Sequence, residues 1–117
     1  MKLALLILAA LPLAGAGDIA GKWAMEGDVV GNPVNLDCSI EQKGEGKIGG
    51  TCTEKGGDGS ESLDIAGEAK AEKFSFSFTT SSGYTLTYTG TVEGDAVKGD
   101  IEVSGANGSF TGKRVVQ

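Results

Sequence analysis

The chain has 117 residues, of which 16 are acidic, 10 are basic and none is histidine. This length suits one domain and is short for two. The formal net charge of −6 disfavours binding to nucleic acid or to anionic membranes, and the missing histidine removes the commonest general base and metal ligand.

The first segment has the pattern of a secretory signal peptide. Lys2 supplies a positive charge, residues 3–13 are apolar, and Ala14-Gly15-Ala16 is a small-x-small cleavage site. The apolar run is too short for a permanent membrane span. We therefore expect residues 1–16 to be removed on export, and residues 17–117 to form one domain in the periplasm or outside the cell.

Eight short runs of alternating apolar and polar residues follow, separated by turn residues such as Gly31-Asn32-Pro33 and Glu93-Gly94-Asp95. The strands predicted from them span residues 21–28, 33–42, 47–54, 61–68, 73–80, 84–92, 96–103 and 108–115. Tight turns between successive strands require antiparallel neighbours, so the sequence predicts an up-and-down order.

A five-residue pattern, apolar-x-Gly-x-apolar, recurs in six of these runs, with arginine replacing the last apolar residue in the final copy. Alternation places these glycines, and all seven aromatic residues (one Trp, two Tyr and four Phe), on one face of the sheet. A long one-sided sheet must close or fold over. The repeated inward glycines favour a closed eight-stranded antiparallel β-barrel over a two-sheet sandwich. Rows of large inward side chains on the second and fifth predicted strands are expected to fill the space that the glycines leave.

The two cysteines, Cys38 and Cys52, share this inward face. If the turn between their strands centres on Glu45, they are directly opposed at a separation that a disulfide accepts. An even cysteine count in an exported chain also favours a bridge, the alternative being two buried thiols. We predict a Cys38–Cys52 disulfide that stabilises the fold by about 3 kcal/mol.

The two ends of the predicted barrel resemble those of the calycins, the superfamily of lipocalin-type and avidin-type barrels. Gly21-Lys22-Trp23 opens the first strand, and Arg114 ends the last strand on the same inward face. Calycins typically begin with Gly-x-Trp and end with an arginine that lies across the tryptophan. The resemblance implies that Gly21, Trp23 and Arg114 close the barrel, whereas the single tryptophan argues against a biotin site. In overall texture the chain also resembles short glycine-rich barrels exported by bacteria, which implies no particular chemistry.

Catalysis has no candidate group in this register. No carboxylate from the interior of a predicted strand faces inward, so paired-acid catalysis inside the barrel has no candidate. Acids such as Asp37 and Asp64 alternate with serine and threonine on the outer face. We predict a protein that is not an enzyme and that uses no cofactor or metal.

The apolar interior predicts binding of a small apolar molecule, because eight strands enclose room for side chains or for one small ligand. The buried tyrosine hydroxyls would be its polar contacts. The expected ligand-binding residues are Phe74, Phe76, Phe78, Tyr84, Leu86 and Tyr88. The alternative is a solid barrel that acts as a non-enzymatic interaction module, for example one resembling a protease inhibitor. We expect a monomer with no nucleic-acid partner and no stable membrane insertion.

Overall fold

A computed structural model describes residues 19–56 and 59–115, so the predicted signal peptide lies outside the described residues. All regular structure in these ranges is β, and they contain no helix long and apolar enough to cross a membrane. The strands are β1 (Gly21–Val29), β2 (Asn32–Gly44), β3 (Lys47–Gly56), β4 (Gly59–Lys70), β5 (Lys73–Thr79), β6 (Thr85–Glu93), β7 (Ala96–Val103) and β8 (Ala106–Arg114). Each pairs antiparallel with the next, and β8 pairs with β1. The predicted closed up-and-down barrel is confirmed.

The predicted register between β2 and β3 is also confirmed. Cys38 is paired with Cys52, and Ile40 is paired with Gly50. A disulfide joins the two cysteines, whose Cα atoms are 4.0 Å apart. The register shifts only beyond Gln42, near the turn. Cysteine spacing and strand alternation therefore sufficed to find this bond.

Inward glycines let the strands approach each other where aromatic rings cross the barrel. A Cβ atom on Gly90 would lie 3.0 Å from the Cζ atoms of both Phe74 and Phe110. Gly67 on β4 is paired with Phe76 on β5. The phenylalanines thus occupy the space that the glycines leave open, as the sequence predicted.

The centre of the barrel is filled by aromatic side chains in mutual contact. The Tyr88 ring lies 5.3 Å from Phe76 and 5.0 Å from Phe110, measured between centroids. Phe78 extends the cluster at 5.8 Å from Tyr88, and Phe74 extends it at 6.0 Å from Phe76 and 6.3 Å from Phe110. Such aromatic pairs stabilise a core beyond the burial of their area.

Two expectations about side-chain direction are wrong. Tyr84 was expected on the inward face, but it precedes β6 and is 55% exposed. Its carbonyl accepts a hydrogen bond from the Thr80 amide at 2.8 Å, so the residue belongs to the loop and has no strand opposite to pack against. Conversely, β3 and β4 extend further than predicted, so Glu54 and Glu61 lie inside strands. Alternation places their side chains on the same inward face as Cys52.

The close approach at Gly67 gives a first prediction. Gly67→Ala is expected to lower the free energy of unfolding by about 3 kcal/mol. The new Cβ would overlap the backbone oxygen of Ser75 and lie 2.6 Å from the Cα atom of Phe76. Gly44→Ala is the control, because no atom lies within 4 Å of a Cβ built there. Urea denaturation of both variants measures the difference, and equal stabilities would contradict this account.

Candidate ligand-binding site

One end of the barrel, which we call the floor, is sealed by Trp23 and Arg114. These residues are paired across β1 and β8, and the guanidinium carbon lies 4.3 Å from the centroid of the indole ring. Arg114 Nη1 donates to the carbonyl of Ala20 at 3.0 Å, and Nε donates to Asp95 Oδ1 at 3.1 Å. Gly21 has a φ of +125°, and a Cβ there would lie 3.1 Å from Nη1. The backbone therefore passes under the guanidinium only because this residue is glycine.

The chain segment before β1 completes the floor. Trp23 Nε1 donates a 2.8 Å hydrogen bond to the carbonyl of Ile19, whose side chain is 1% exposed. The indole is itself fully buried. A ligand would have to displace this packing in order to enter here. The opposite end is therefore the route by which a ligand would reach the interior.

The opposite end, which we call the mouth, holds a cavity of about 340 Å³. It lies where β1, β3, β5 and β7 end and where β2, β4, β6 and β8 begin. Its wall combines aliphatic side chains, Val29, Val34, Leu86 and Val103, with the two acids Glu54 and Glu61. Asn32, Thr80, Ser82 and Tyr84 complete the lining.

The structure separates the six residues expected to bind a ligand into two groups. Phe74, Phe76, Phe78 and Tyr88 are at most 3% exposed and pack against one another in the centre. Tyr84 and Leu86 line the mouth cavity. The centre is thus occupied by protein, and open space begins above it.

The hydroxyl of Tyr88, on β6, is the buried side-chain polar group that the packing of the described residues leaves unsatisfied. Tyr88 is 1% exposed, and its hydroxyl has no hydrogen-bond partner among the described residues. It lies two residues from Leu86 on the same strand face. Burial raises the pKa of this hydroxyl well above its usual range, and the negative charge of Glu54 raises it further. The phenol is therefore a neutral group whose hydrogen-bonding capacity is unused.

Glu54 and Glu61 are opposed across β3 and β4, and both are half-buried. Burial raises the pKa of Glu54, and the neighbouring charge of Glu61 raises it further. Glu61 Oε2 also accepts a 2.8 Å hydrogen bond from the Ser81 amide, which ties the loop between β5 and β6 to the mouth. Opposed like charges on neighbouring strands destabilise a sheet.

The sequence contained a signal for these two acids. Alternation continued by one step from Cys52 reaches Glu54, and alternation continued backwards from Leu63 reaches Glu61. The expectation that no carboxylate from a strand interior faces inward was wrong because the predicted strands ended at these two residues, whereas β3 and β4 continue beyond them. The hydroxyl of Tyr88 was correctly placed inside, but its missing partner is visible only in three dimensions.

No family model matches this chain, and no curated protein matches it. Solved structures do match. A de novo designed fluorescence-activating β-barrel has a TM-score of 0.71 and 17% identity, covering 86% of this chain and 96% of its own. A redesigned β-barrel bound to DFHBI has a TM-score of 0.65 and 11% identity, covering 85% and 97%. Fatty-acid-binding protein 1 of Echinococcus granulosus has a TM-score of 0.51 and 13% identity, covering 86% and 99%. These similarities establish the calycin-like barrel fold.

The unused hydroxyl gives a second prediction. Tyr88→Phe is expected to raise the free energy of unfolding by about 1 kcal/mol, because burying a hydroxyl without a partner is unfavourable. Tyr84→Phe removes the same atom from a side chain that is 55% exposed, and should change stability by less than about 0.5 kcal/mol. Urea denaturation compares the two. A destabilised Tyr88→Phe would mean that the hydroxyl is already hydrogen-bonded in solution.

The acid pair gives a third prediction, on pH dependence. Glu54 has a higher pKa in the folded chain than when unfolded, so its ionisation lowers stability as pH rises through these values. Glu54→Gln should therefore be more stable than the wild type at neutral pH. The gain should fade towards about pH 3, where the carboxyl group of Glu54 is protonated in both the folded and the unfolded chain. The control is Glu102→Gln, at an exposed outer-face residue near the same end. An equal gain at both pH values would contradict this prediction.

Proposed function

We propose that this protein is an exported, non-enzymatic carrier that binds a small, largely apolar molecule at the barrel mouth. The observation that carries the proposal is the cavity at the mouth, with Val29, Val34, Leu86 and Val103 in its wall. A small ligand in this cavity would bury apolar surface against these side chains. Binding would then stabilise the folded chain.

The exposed residues at the rim of the mouth also support ligand binding there. Val30 and Tyr84 are 72% and 55% exposed, and both lie in turns at this end. Val30 has a φ of 51°, a left-handed conformation that is unfavourable for a β-branched residue. Ala71 and Ser104 have the same conformation in other turns, so it reflects turn geometry, and the exposed apolar side chains are the feature that suits a binding rim. The rim would give an apolar ligand its first contacts.

Two further observations support carriage and export. Among proteins with this fold, one is a redesigned barrel bound to DFHBI and another is a fatty-acid-binding protein. Disulfides persist mainly in oxidising compartments, so the Cys38–Cys52 bond agrees with the signal-peptide pattern of the first 16 residues.

The filled centre favours a second candidate function. Tyr88 and Phe76 stack at 5.3 Å in the middle of the barrel, so the interior needs no ligand to be well packed. A solid barrel of this kind suits a non-enzymatic interaction module of the envelope, in which the turns contact a partner protein.

Binding of a neutral apolar dye, Nile red, distinguishes the two functions. We expect the purified mature protein to bind it and Val103→Trp to weaken binding at least tenfold, because Val103 is half-buried in the mouth wall. Val115→Trp is the control, since Val115 is 40% exposed at the floor end. Circular dichroism checks the fold of both variants. No dye binding by the wild type, or equal loss in both variants, would reject the carrier and favour the interaction module.

A further inference from the structure

The disulfide between Cys38 and Cys52 is enclosed by the barrel. Cys38 is 3% exposed and Cys52 is 0% exposed. Cys38 is paired with Trp23 on β1, and Cys52 is paired with Leu63 on β4, so each cysteine has a large buried side chain beside it on the inward face. While the barrel is closed, the bond is therefore out of reach of molecules in solution.

The chemistry that makes this bond needs more room than the closed barrel gives. In thiol–disulfide exchange, the thiolate of one cysteine attacks a sulfur atom of an external disulfide, and one thiolate of the oxidant leaves. The second cysteine then attacks the mixed disulfide and releases the other thiolate. Two cysteine thiols become one disulfide, the external disulfide becomes two thiols, and the two protons pass to the departing thiolates.

The intermediate of this reaction does not fit the closed barrel. In the mixed disulfide, the oxidant is covalently attached to Cys38 or Cys52, and both residues are at most 3% exposed once the strands have closed. Trp23, which is fully buried, lies beside Cys38. The exchange therefore requires a chain in which this face of the sheet is open.

The order of the strands allows the bond to form on such an open chain. The two cysteines are 14 residues apart on neighbouring strands, β2 and β3, which are joined by a short turn. Closure instead requires β1 to pair with β8, at opposite ends of the described chain. Pairing between distant segments is slower, because the entropy of closing a long loop opposes it. The hairpin can thus bring the two thiols together before the barrel closes.

We propose that an external disulfide oxidises Cys38 and Cys52 on the open chain, before β1 pairs with β8. The partner at this step is an oxidant of the thiol–disulfide exchange class, and it meets the β2–β3 hairpin with its apolar face uncovered. This inference concerns how the barrel is made, and it is independent of whether the finished barrel is a carrier or an interaction module.

Reduction of the native protein tests the argument from access, because reduction passes through the same kind of mixed disulfide. Dithiothreitol should reduce the bond about a hundredfold more slowly, or slower still, in the folded mature protein than in protein unfolded in urea, since the barrel must open first. Circular dichroism checks that the protein without urea is folded. Equal rates in the two conditions would overturn the proposal.

A delay experiment tests the order of events. The mature protein is reduced in urea, freed of reductant and diluted to start folding, and oxidised glutathione is added after increasing delays. The fraction oxidised in a fixed short interval should fall with delay, at the rate at which the fluorescence of Trp23, the only tryptophan, reports its burial. Equally fast oxidation at every delay, with Trp23 already buried, would overturn the proposal. A reduced chain that does not bury Trp23 until the oxidant is added would support it, since closure then follows the bond.

A matched pair of variants tests whether the β1–β8 seam controls access. Arg114→Ala removes the guanidinium that lies over Trp23 and should speed reduction of the native bond at least tenfold. Lys113→Ala removes a positive charge from the exposed neighbouring residue and should leave the rate unchanged. Equal rates in two folded variants would overturn the assignment of access to the seam. If Arg114→Ala does not fold, the two wild-type experiments decide the proposal.

Discussion

The pairing of β1 with β8 is the contact on which the rest of this structure depends. Without it, the sheet would have two open edges and an inner face of aromatic rings in water. The guanidinium of Arg114 crosses this seam over Trp23 and is hydrogen-bonded to Ala20 on the other side. The seam is therefore held by side chains as well as by the backbone ladder. Closure at this end leaves the mouth as the route to the interior.

Closure also fixes how much room the barrel has, and the chain fills that room by pairing small residues with large ones. Gly90 makes space for Phe74 and Phe110, and Gly67 makes space for Phe76. Two polar features fit this packing poorly. Tyr88 has an unpaired hydroxyl, and Glu54 is half-buried opposite a like charge. Glu54 also lines the mouth cavity, and a destabilising group beside a cavity is more easily explained by binding than by folding.

Much of this fold could be predicted because alternation is a strong signal in a one-sided sheet. It placed Cys38 opposite Cys52 and turned every phenylalanine inwards. It failed at Tyr84, where loop geometry decides direction. At Glu54 and Glu61 alternation holds, and the error lay in the predicted ends of β3 and β4. The site could not be predicted as a whole, because residues on β3, β4 and β6 come together only when the barrel closes. Parity assigns a side chain to a face, but it does not say which groups meet across the interior.

The packing of the centre determines what kind of selectivity the mouth can have. Because Phe76, Tyr88 and Phe110 fill the barrel below it, an apolar tail cannot descend far and must lie against the rim and the aliphatic wall. A tail that stays partly in water contributes less to affinity than one that is fully buried. The proposed carrier would therefore gain little affinity from a longer tail. A barrel filled in this way would distinguish ligands poorly by chain length.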